Sequence, residues 1–233
     1  MSTLDWLLLA ALLLGLPTSA LWRSFRPPAR PRTLAVRYGR SMLSGAALAA
    51  LLLWIWRTER RPWASLGLEW PISTLGLVAI VAAGILLGLL VTSVMLSKTE
   101  GKVGEEQAAM LPSDGRELAL YLLMALTLGL SWELLYRGYA LWALEPVLGT
   151  AGAVGLGAIA YGLAHGGYRP REWIGPTVMA LLFAAAYAAT RSLWWLILIH
   201  IALPLIGLLA GRRAGMGKAG GPDQPAFSNV NTP

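Results

Sequence analysis

The chain contains no cysteine and few charged residues. Of its 233 residues none is Cys and only 13% are Asp, Glu, Lys or Arg, about half of the ~25% that is usual in soluble domains. The absence of cysteine excludes thiol catalysis, disulfide frameworks, Cys-ligated zinc and iron–sulfur clusters. The scarcity of charge excludes a soluble enzyme and a disordered chain. What the sequence has instead is apolar character, with 56% hydrophobic residues, which indicates a membrane protein.

A helix needs about 20 mostly apolar residues to cross a bilayer, and seven runs in the sequence approach that length. They are Trp6–Trp22, Met42–Trp56, Leu75–Leu96, Leu118–Leu144, Ala151–Ala164, Ile174–Thr190 and Leu193–Ala210. The second and fifth runs are short and need flanking residues to complete a span, and the fourth is long. We therefore predict an all-α fold, a polytopic transmembrane helix bundle with about seven spans.

Lys and Arg are divided unequally between the two sides of such a bundle. With seven alternating spans and the N-terminus outside, fourteen of the nineteen lie on one side, four lie on the other, and Arg137 lies within a span. The positive-inside rule then predicts a cytoplasmic C-terminus, and we expect an integral multi-pass protein of the plasma (inner) membrane. The net charge of +7 reflects this asymmetry and contact with anionic lipids at the basic cytoplasmic face, not binding to nucleic acid. Asp5, without any Lys or Arg before the first span, argues against a cleaved signal peptide.

Composition along the chain predicts four regions. Residues 1–96 form an N-terminal three-span region, residues 97–117 a charged cytoplasmic connector, residues 118–210 a four-span core, and residues 211–233 a disordered tail rich in Gly and Pro. At the end of the connector, Asp114 is a candidate N-cap for the fourth span.

An ionisable residue within the bilayer predicts function, because its burial costs several kcal/mol when it is unpaired. Four such residues lack a simple explanation as loop residues: Glu133, Arg137, His165 and His200. Glu133 and Arg137 are spaced i, i+4 with the acid first, the favourable order for a helical ion pair. A purely structural pair that pins the bundle is the alternative at these two positions.

The two histidines of the chain both lie in apolar helices of the C-terminal half. His165 follows a stripe of small residues that lets another helix approach, so we expect it to face the bundle interior, with Tyr161 one turn earlier beside its ring. His200 precedes Pro204 by four residues, and proline leaves the carbonyl of residue 200 without its helical partner. That carbonyl and the imidazole predict a polar pocket. For each histidine the alternative is a role in helix packing alone.

Three segments together resemble the motifs of the CPBP (Abi) family, which includes the type II CAAX prenyl endopeptidases. The stretch SWELLYRGY from Ser131 to Tyr139 resembles the EExxxR motif, and YGLAH, ending at His165, resembles the FxxxH motif. HIALP, from His200 to Pro204, resembles the HxxxN motif except at its last position. The resemblance covers residues 112–210 and defines the core region as CPBP-like.

The resemblance implies an intramembrane endopeptidase that cleaves a membrane-associated peptide or a lipidated protein by water activation with Glu and His, without a cofactor. It implies Glu133, His165 and His200 as catalytic residues, with Arg137, Tyr161 and Pro204 in support. Two positions depart from the family pattern: Trp132 stands where the first Glu belongs, and Pro204 where the Asn belongs. Since neighbouring helical residues point about 100° apart, Glu133 does not simply replace the missing carboxylate. Three possibilities stay open: the helix rotates to bring Glu133 into that place, a histidine acts alone as the base, or the site is catalytically inactive.

Three alternatives to an active endopeptidase are considered. The first is a catalytically inactive member of the family that binds or shields a membrane peptide. The second is a zinc or iron site, since one carboxylate and two histidines are a reasonable ligand set. The third is a small transporter, which the absence of a visible inverted repeat disfavours.

Overall fold

The computed structural model describes residues 1–26, 33–96, 111–166 and 170–213. All regular structure within these ranges is helical, and the prediction of an all-α bundle is confirmed. Six helices are long and apolar enough to cross a membrane, and one of them, Gly115–Ala164, is 50 residues long. Such a helix would extend about 75 Å, more than twice the hydrocarbon thickness, so it cannot be a single span.

A break at Gly149 divides this long segment. Its backbone has φ 66° and ψ 170°, a conformation that only glycine adopts readily. The bundle therefore has seven helices in the described ranges. They are α1 (Thr3–Phe25), α2 (Leu34–Thr58), α3 (Thr74–Leu96), α4 (115–148), α5 (150–164), α6 (Pro170–Thr190) and α7 (Trp194–Arg213). A short 3₁₀ helix, Trp63–Leu66, lies between α2 and α3.

The observed helix ends differ from the predicted runs in two ways. Flanking residues extend the short second run to the 25 residues of α2, whereas α5 stays short. Helix α4 begins at Gly115, where the Asp114 carboxylate accepts a hydrogen bond from the Glu117 backbone N–H at 2.7 Å, as an N-cap does. Helix α7 continues to Arg213, three residues into the predicted tail. Residues 97–110 of the connector and residues 214–233 of the tail lie outside the described residues.

Contacts near the helix ends show which loops and termini lie at the same end of the bundle. At one end, Arg61 pairs with Asp5 and Arg191 pairs with Glu145. At the other end, which we call the basic end, the terminus of α7 contacts α3 and Leu111. The arginines of the basic end in the described ranges are Arg23, Arg26, Arg37, Arg40, Arg116, Arg212 and Arg213. This alternation agrees with the helix order on which the predicted orientation depends.

Two π-helical segments interrupt the regular helices. One is Ala11–Gly15 in α1, and the other is Glu133–Ala140 in α4. All eight residues of the second segment are buried. The two segments are joined by a hydrogen bond from the Tyr136 hydroxyl to the Leu12 carbonyl at 3.0 Å. The wider turn of α4 therefore lies at the centre of the bundle, against the first helix.

A buried ion pair fixes α1 at the end opposite the basic end. The Arg61 guanidinium donates two hydrogen bonds to the Asp5 carboxylate, at 2.8 and 2.6 Å, and the Asp5 side chain is fully buried. The guanidinium also lies 4.8 Å from the ring centre of Trp142 and 5.2 Å from that of Trp56, within the range of cation–π attraction. The Tyr139 hydroxyl donates to the Asp5 carbonyl at 2.6 Å. The start of α1 is thus held by the Arg61 guanidinium, which packs on two tryptophan rings, and by the Tyr139 hydroxyl of α4.

We predict that Asp5→Asn lowers the free energy of unfolding by about 3–5 kcal/mol, because it removes the buried carboxylate that accepts both hydrogen bonds of Arg61 and leaves only Glu59, at 3.9 Å, to balance its charge among aromatic rings. The measurement is unfolding in detergent micelles followed by circular dichroism. The matched control is Arg57→Gln, an exposed arginine at the same end, which we expect to change stability by less than about 0.5 kcal/mol. Equal stability of the two variants would show that the Asp5–Arg61 pair contributes nothing to the fold.

Candidate active site

Glu133 and His200 meet in the centre of the bundle. The Nδ1–H of His200, on α7, donates to Oε1 of Glu133, on α4, at 2.6 Å. Glu133 is fully buried, and the His200 side chain is 21% exposed. Because Nδ1 donates to the carboxylate, Nε2 is the nitrogen that remains for another partner. This pair joins two of the predicted site residues.

Arg137 completes a buried cluster with this pair. Its guanidinium lies 3.4 Å from Oε1 of Glu133, and its side chain is 2% exposed. On its other side the guanidinium carbon lies 4.5 Å from the ring centre of Tyr161 and 5.9 Å from that of Phe183. The predicted i, i+4 ion pair is present, although π-helical winding begins at Glu133. Both charges are therefore compensated in a region that water does not reach.

The hydrogen-bonding capacity of this cluster is not filled. Oε2 of Glu133 and one terminal guanidinium nitrogen of Arg137 are buried without a hydrogen-bond partner. Buried polar atoms are nearly always satisfied in stable proteins, and an exception indicates a functional group or a place for water or ligand. The cluster therefore has the chemical features of a reactive site.

Close approach of α7 to α4 depends on Gly129, one turn before Glu133. A Cβ atom at this position would lie 2.6 Å from Cγ1 of Ile201 and 3.1 Å from its backbone nitrogen. Any side chain here would push α7 away and separate His200 from Glu133. The sequence does not mark Gly129 as a site residue, since a single glycine in an apolar helix carries no such signal.

His165 lies apart from this cluster, in a cavity of about 240 Å³. Its Nδ1–H donates to the Tyr161 carbonyl at 2.9 Å, which leaves the lone pair on Nε2. The cavity opens between α1, α2, α4 and α5. Its lining residues are Leu16, Arg23, Ser41, Ser44, Leu128, Trp132, Tyr136, Tyr161, Ala164 and His165. We expected His165 to face the interior of the bundle. In the structure it lines this cavity between the helices.

Trp132 and Glu133 point to different places, as helical geometry requires. Trp132 faces the His165 cavity and Glu133 faces α7. No carboxylate lines the cavity in the described part of the chain. The helix therefore does not rotate Glu133 into the position of the missing family carboxylate, and His165 is the acid–base group that the cavity contains.

Tyr161 lies between the two parts of the site. Its ring centre is 4.5 Å from that of His165 and also 4.5 Å from the Arg137 guanidinium carbon. Tyr136 packs edge-on against the same ring, with centroids 5.2 Å apart. The predicted support residue Tyr161 is thus the partition between the cavity and the buried cluster.

The structure also describes the surroundings of Pro204 and of the three candidate metal ligands, Glu133, His165 and His200. Pro204 lies within α7, and its carbonyl accepts the Tyr121 hydroxyl at 3.0 Å, so this position presents an acceptor that is already occupied. Among the described residues no three His, Cys, Asp or Glu side chains gather in a way that could hold a metal ion. Glu133 and His200 meet without His165, so the three candidate ligands do not form one centre.

The comparison with protein families matches residues 114–206 to the model described as type II CAAX prenyl endopeptidase Rce1-like. The match starts at the N-cap of α4, ends within α7, and includes all six predicted site and support residues. No curated protein and no solved structure matches the chain. The resemblance predicted from the three motifs is confirmed over this segment. At the level of the family, the match supports a CAAX-type intramembrane protease.

We predict that Gly129→Val destabilises the bundle by about 1–3 kcal/mol, because overpacking forces α4 and α7 apart. The matched control is Gly84→Val in α3, since a Cβ atom at Gly84 meets nothing within 4 Å. Unfolding of both variants in detergent is followed by circular dichroism. If Gly129→Val is as stable as Gly84→Val, the close packing of α7 on α4 is not what holds His200 at Glu133.

Proposed function

We propose that the protein is an intramembrane endopeptidase of the CAAX type, which hydrolyses a peptide bond in a membrane-associated peptide or a lipidated protein. The observation that carries this proposal is the hydrogen bond between Glu133 and His200 at 2.6 Å inside an apolar bundle. A carboxylate–imidazole pair with an unfilled carboxylate oxygen is unfavourable for stability alone. It is suited to acid–base or electrostatic catalysis.

In the proposed mechanism His165 is the general base. Its Nε2 lone pair accepts a proton from a water molecule in the cavity while the water oxygen attacks the scissile carbonyl carbon. The carbonyl oxygen becomes negative in the tetrahedral intermediate. When that intermediate collapses, the C–N bond breaks and the proton on His165 passes to the leaving amine. Trp132, which cannot accept a proton, contributes an apolar wall to the cavity.

His200 stabilises the oxyanion in this mechanism, and Glu133 positions it. When both ring nitrogens of His200 carry a proton, Nδ1–H stays on Glu133 and Nε2–H donates to the developing negative charge. In that form Glu133, Arg137 and His200 together carry one positive charge, which the oxyanion neutralises. Because Tyr161 separates His165 from the cluster, its ring has to move when the substrate enters.

A second function is favoured by the composition of the cavity. No carboxylate lines it in the described ranges, and Trp132 occupies the place of the family's first Glu. A protein with this cavity binds or shields a membrane peptide without cleaving it. Both functions use the same peptide-binding cavity, and they differ in whether hydrolysis follows.

We further propose the plasma (inner) membrane as the location, with the basic end and the C-terminus in the cytoplasm. The support is the gathering of arginines at one end of the bundle, which satisfies the positive-inside rule. Anionic lipids are the proposed partners of that end.

We predict that the protein, reconstituted in liposomes, cleaves a farnesylated reporter peptide, with product measured by mass spectrometry. His165→Ala lowers the rate about 10²–10⁴-fold, as for loss of a general base, and His200→Ala lowers it about 10²–10³-fold, as for loss of an oxyanion donor. Leu203→Ala, at a partly lipid-exposed position of α7, is the control and keeps the wild-type rate. Unfolding midpoints are measured for every variant.

Three outcomes contradict this proposal. Loss of activity in parallel with loss of the unfolding midpoint would make the histidines structural. If the wild-type protein is inactive and Trp132→Glu cleaves the peptide, the protein is the non-catalytic binder of the second function. If neither protein cleaves the peptide, the endopeptidase proposal fails.

A further inference from the structure

Three arginines surround the entrance of the His165 cavity. Arg23 lies in the last turns of α1, and Arg37 and Arg40 lie near the start of α2. Ser41 and Ser44 continue the same face of α2, since positions 37, 40, 41 and 44 follow helical spacing. Together these five residues line a cavity of about 330 Å³ at the basic end. We call this cavity the arginine mouth.

The arginine mouth adjoins the His165 cavity. Arg23, Ser41 and Ser44 line both of them. A ligand held by the arginines therefore extends directly toward His165, Tyr161 and Trp132. The mouth is polar, whereas aromatic and aliphatic side chains and His165 line the inner cavity beyond the three shared residues, so the matching ligand is anionic at one end and apolar along its length.

Among the residues that the structure describes, no carboxylate compensates the positive charge of the mouth. No Asp or Glu of the described ranges forms an ion pair with Arg23, Arg37 or Arg40. Arg61 and the buried Arg137, in contrast, both have carboxylate partners. The planar guanidinium binds carboxylates and phosphates in bidentate fashion. Three such groups at one entrance, with two hydroxyls beside them, form a receptor for an oxyanion.

We propose that the arginine mouth binds the free C-terminal carboxylate of the peptide substrate and thereby positions the peptide bond to be cleaved. The inference rests on the proposed function, because it assigns the mouth to the same peptide. The carboxylate is held by Arg23, Arg37 and Arg40, and the residues before it run inward toward His165. The protein thus selects substrates by the position of their C-terminus, and the mouth residues are specificity determinants.

The adjacency of the two cavities favours a peptide over a phospholipid headgroup. A headgroup needs only surface arginines, and its acyl chains run along the lipid-facing side of the helices. The arginine mouth instead borders a cavity between α1, α2, α4 and α5, where an acid–base group is present. A chain with an anion at its end and an amide bond further along fills both parts.

The test compares two versions of one probe. The probe is a fluorescent farnesyl-cysteine peptide with three apolar residues after the cysteine and N-methylated peptide bonds that resist cleavage. One version ends in a free carboxylate and the other in a carboxamide. Binding to the full-length protein is measured by fluorescence anisotropy in vesicles of phosphatidylcholine. Arg37→Gln/Arg40→Gln is compared with Arg212→Gln/Arg213→Gln, which removes the same charge from the same end, at α7.

The wild-type protein should bind the carboxylate peptide about 10–100-fold more tightly than the carboxamide, the range of a charge-assisted hydrogen bond. The Arg37→Gln/Arg40→Gln protein should lose this preference while its affinity for the carboxamide is unchanged, and the α7 control should keep it. Because the probe is not cleaved, this result stands or falls independently of hydrolysis. If the protein prefers the carboxylate peptide but cleaves no substrate, the assignment of the arginine mouth stands and the endopeptidase proposal fails.

Two results would overturn the assignment. Equal affinity of the wild-type protein for both peptides would show that the mouth does not read the C-terminus. The second concerns lipid, tested by adding phosphatidylglycerol to the vesicles and counting the lipid that copurifies. If Arg37→Gln/Arg40→Gln reduces bound phosphatidylglycerol and leaves the peptide preference intact, the mouth is a headgroup site.

Discussion

The bundle is organised around eight buried residues, Glu133–Ala140, whose polar side chains must find partners inside the protein because lipid offers none. The polar side chains of this π-helical segment reach three other helices. Glu133 accepts from His200 on α7, Tyr136 and Tyr139 donate to carbonyls of α1, and Arg137 lies over Tyr161 of α5. π-helical turns within α-helices are rare and are found frequently at functional sites. Satisfaction of these groups therefore fixes the positions of three other helices at once.

Much of this arrangement could be predicted from the sequence where the signal is local. Apolar runs gave the helices, Asp114 marked the start of α4, and the spacing of Glu133 and Arg137 predicted their ion pair. Contacts between helices were harder, because nothing in the spacing of Glu133 and His200 states that they touch. The decisive residue for that contact is Gly129, and a missing side chain leaves no periodic signal. The distribution of arginines between loops predicted the orientation of the bundle. It did not predict that Arg61 pairs with Asp5, which lies 56 residues earlier in the chain.

The structure shows where the residues of the first departure from the family pattern, Trp132 and its neighbour Glu133, are placed. Trp132 and Glu133 are adjacent in sequence but face different spaces, so the second carboxylate of the family pair survives as a partner of His200 and not as a group of the cavity. The aromatic wall of Trp132, Tyr136 and Tyr161 takes the volume next to His165. Replacing a carboxylate by an indole there removes a charge that would need hydration and makes the cavity more favourable for an apolar chain. The presence of Trp132 in place of the family's first Glu therefore has two effects: the cavity lacks one acid–base group, and its wall is more apolar.

Tyr161 connects these two consequences. Its ring contacts the Arg137 cation on one side and the imidazole of His165 on the other. In the proposed mechanism a substrate chain has to displace this ring before it reaches Glu133 and His200, so binding in the cavity and access to the buried cluster are coupled through Tyr161. In the proposed binding mode, a chain anchored at the arginine mouth reaches the ring with its inner residues, and recognition at the mouth therefore precedes access to the cluster.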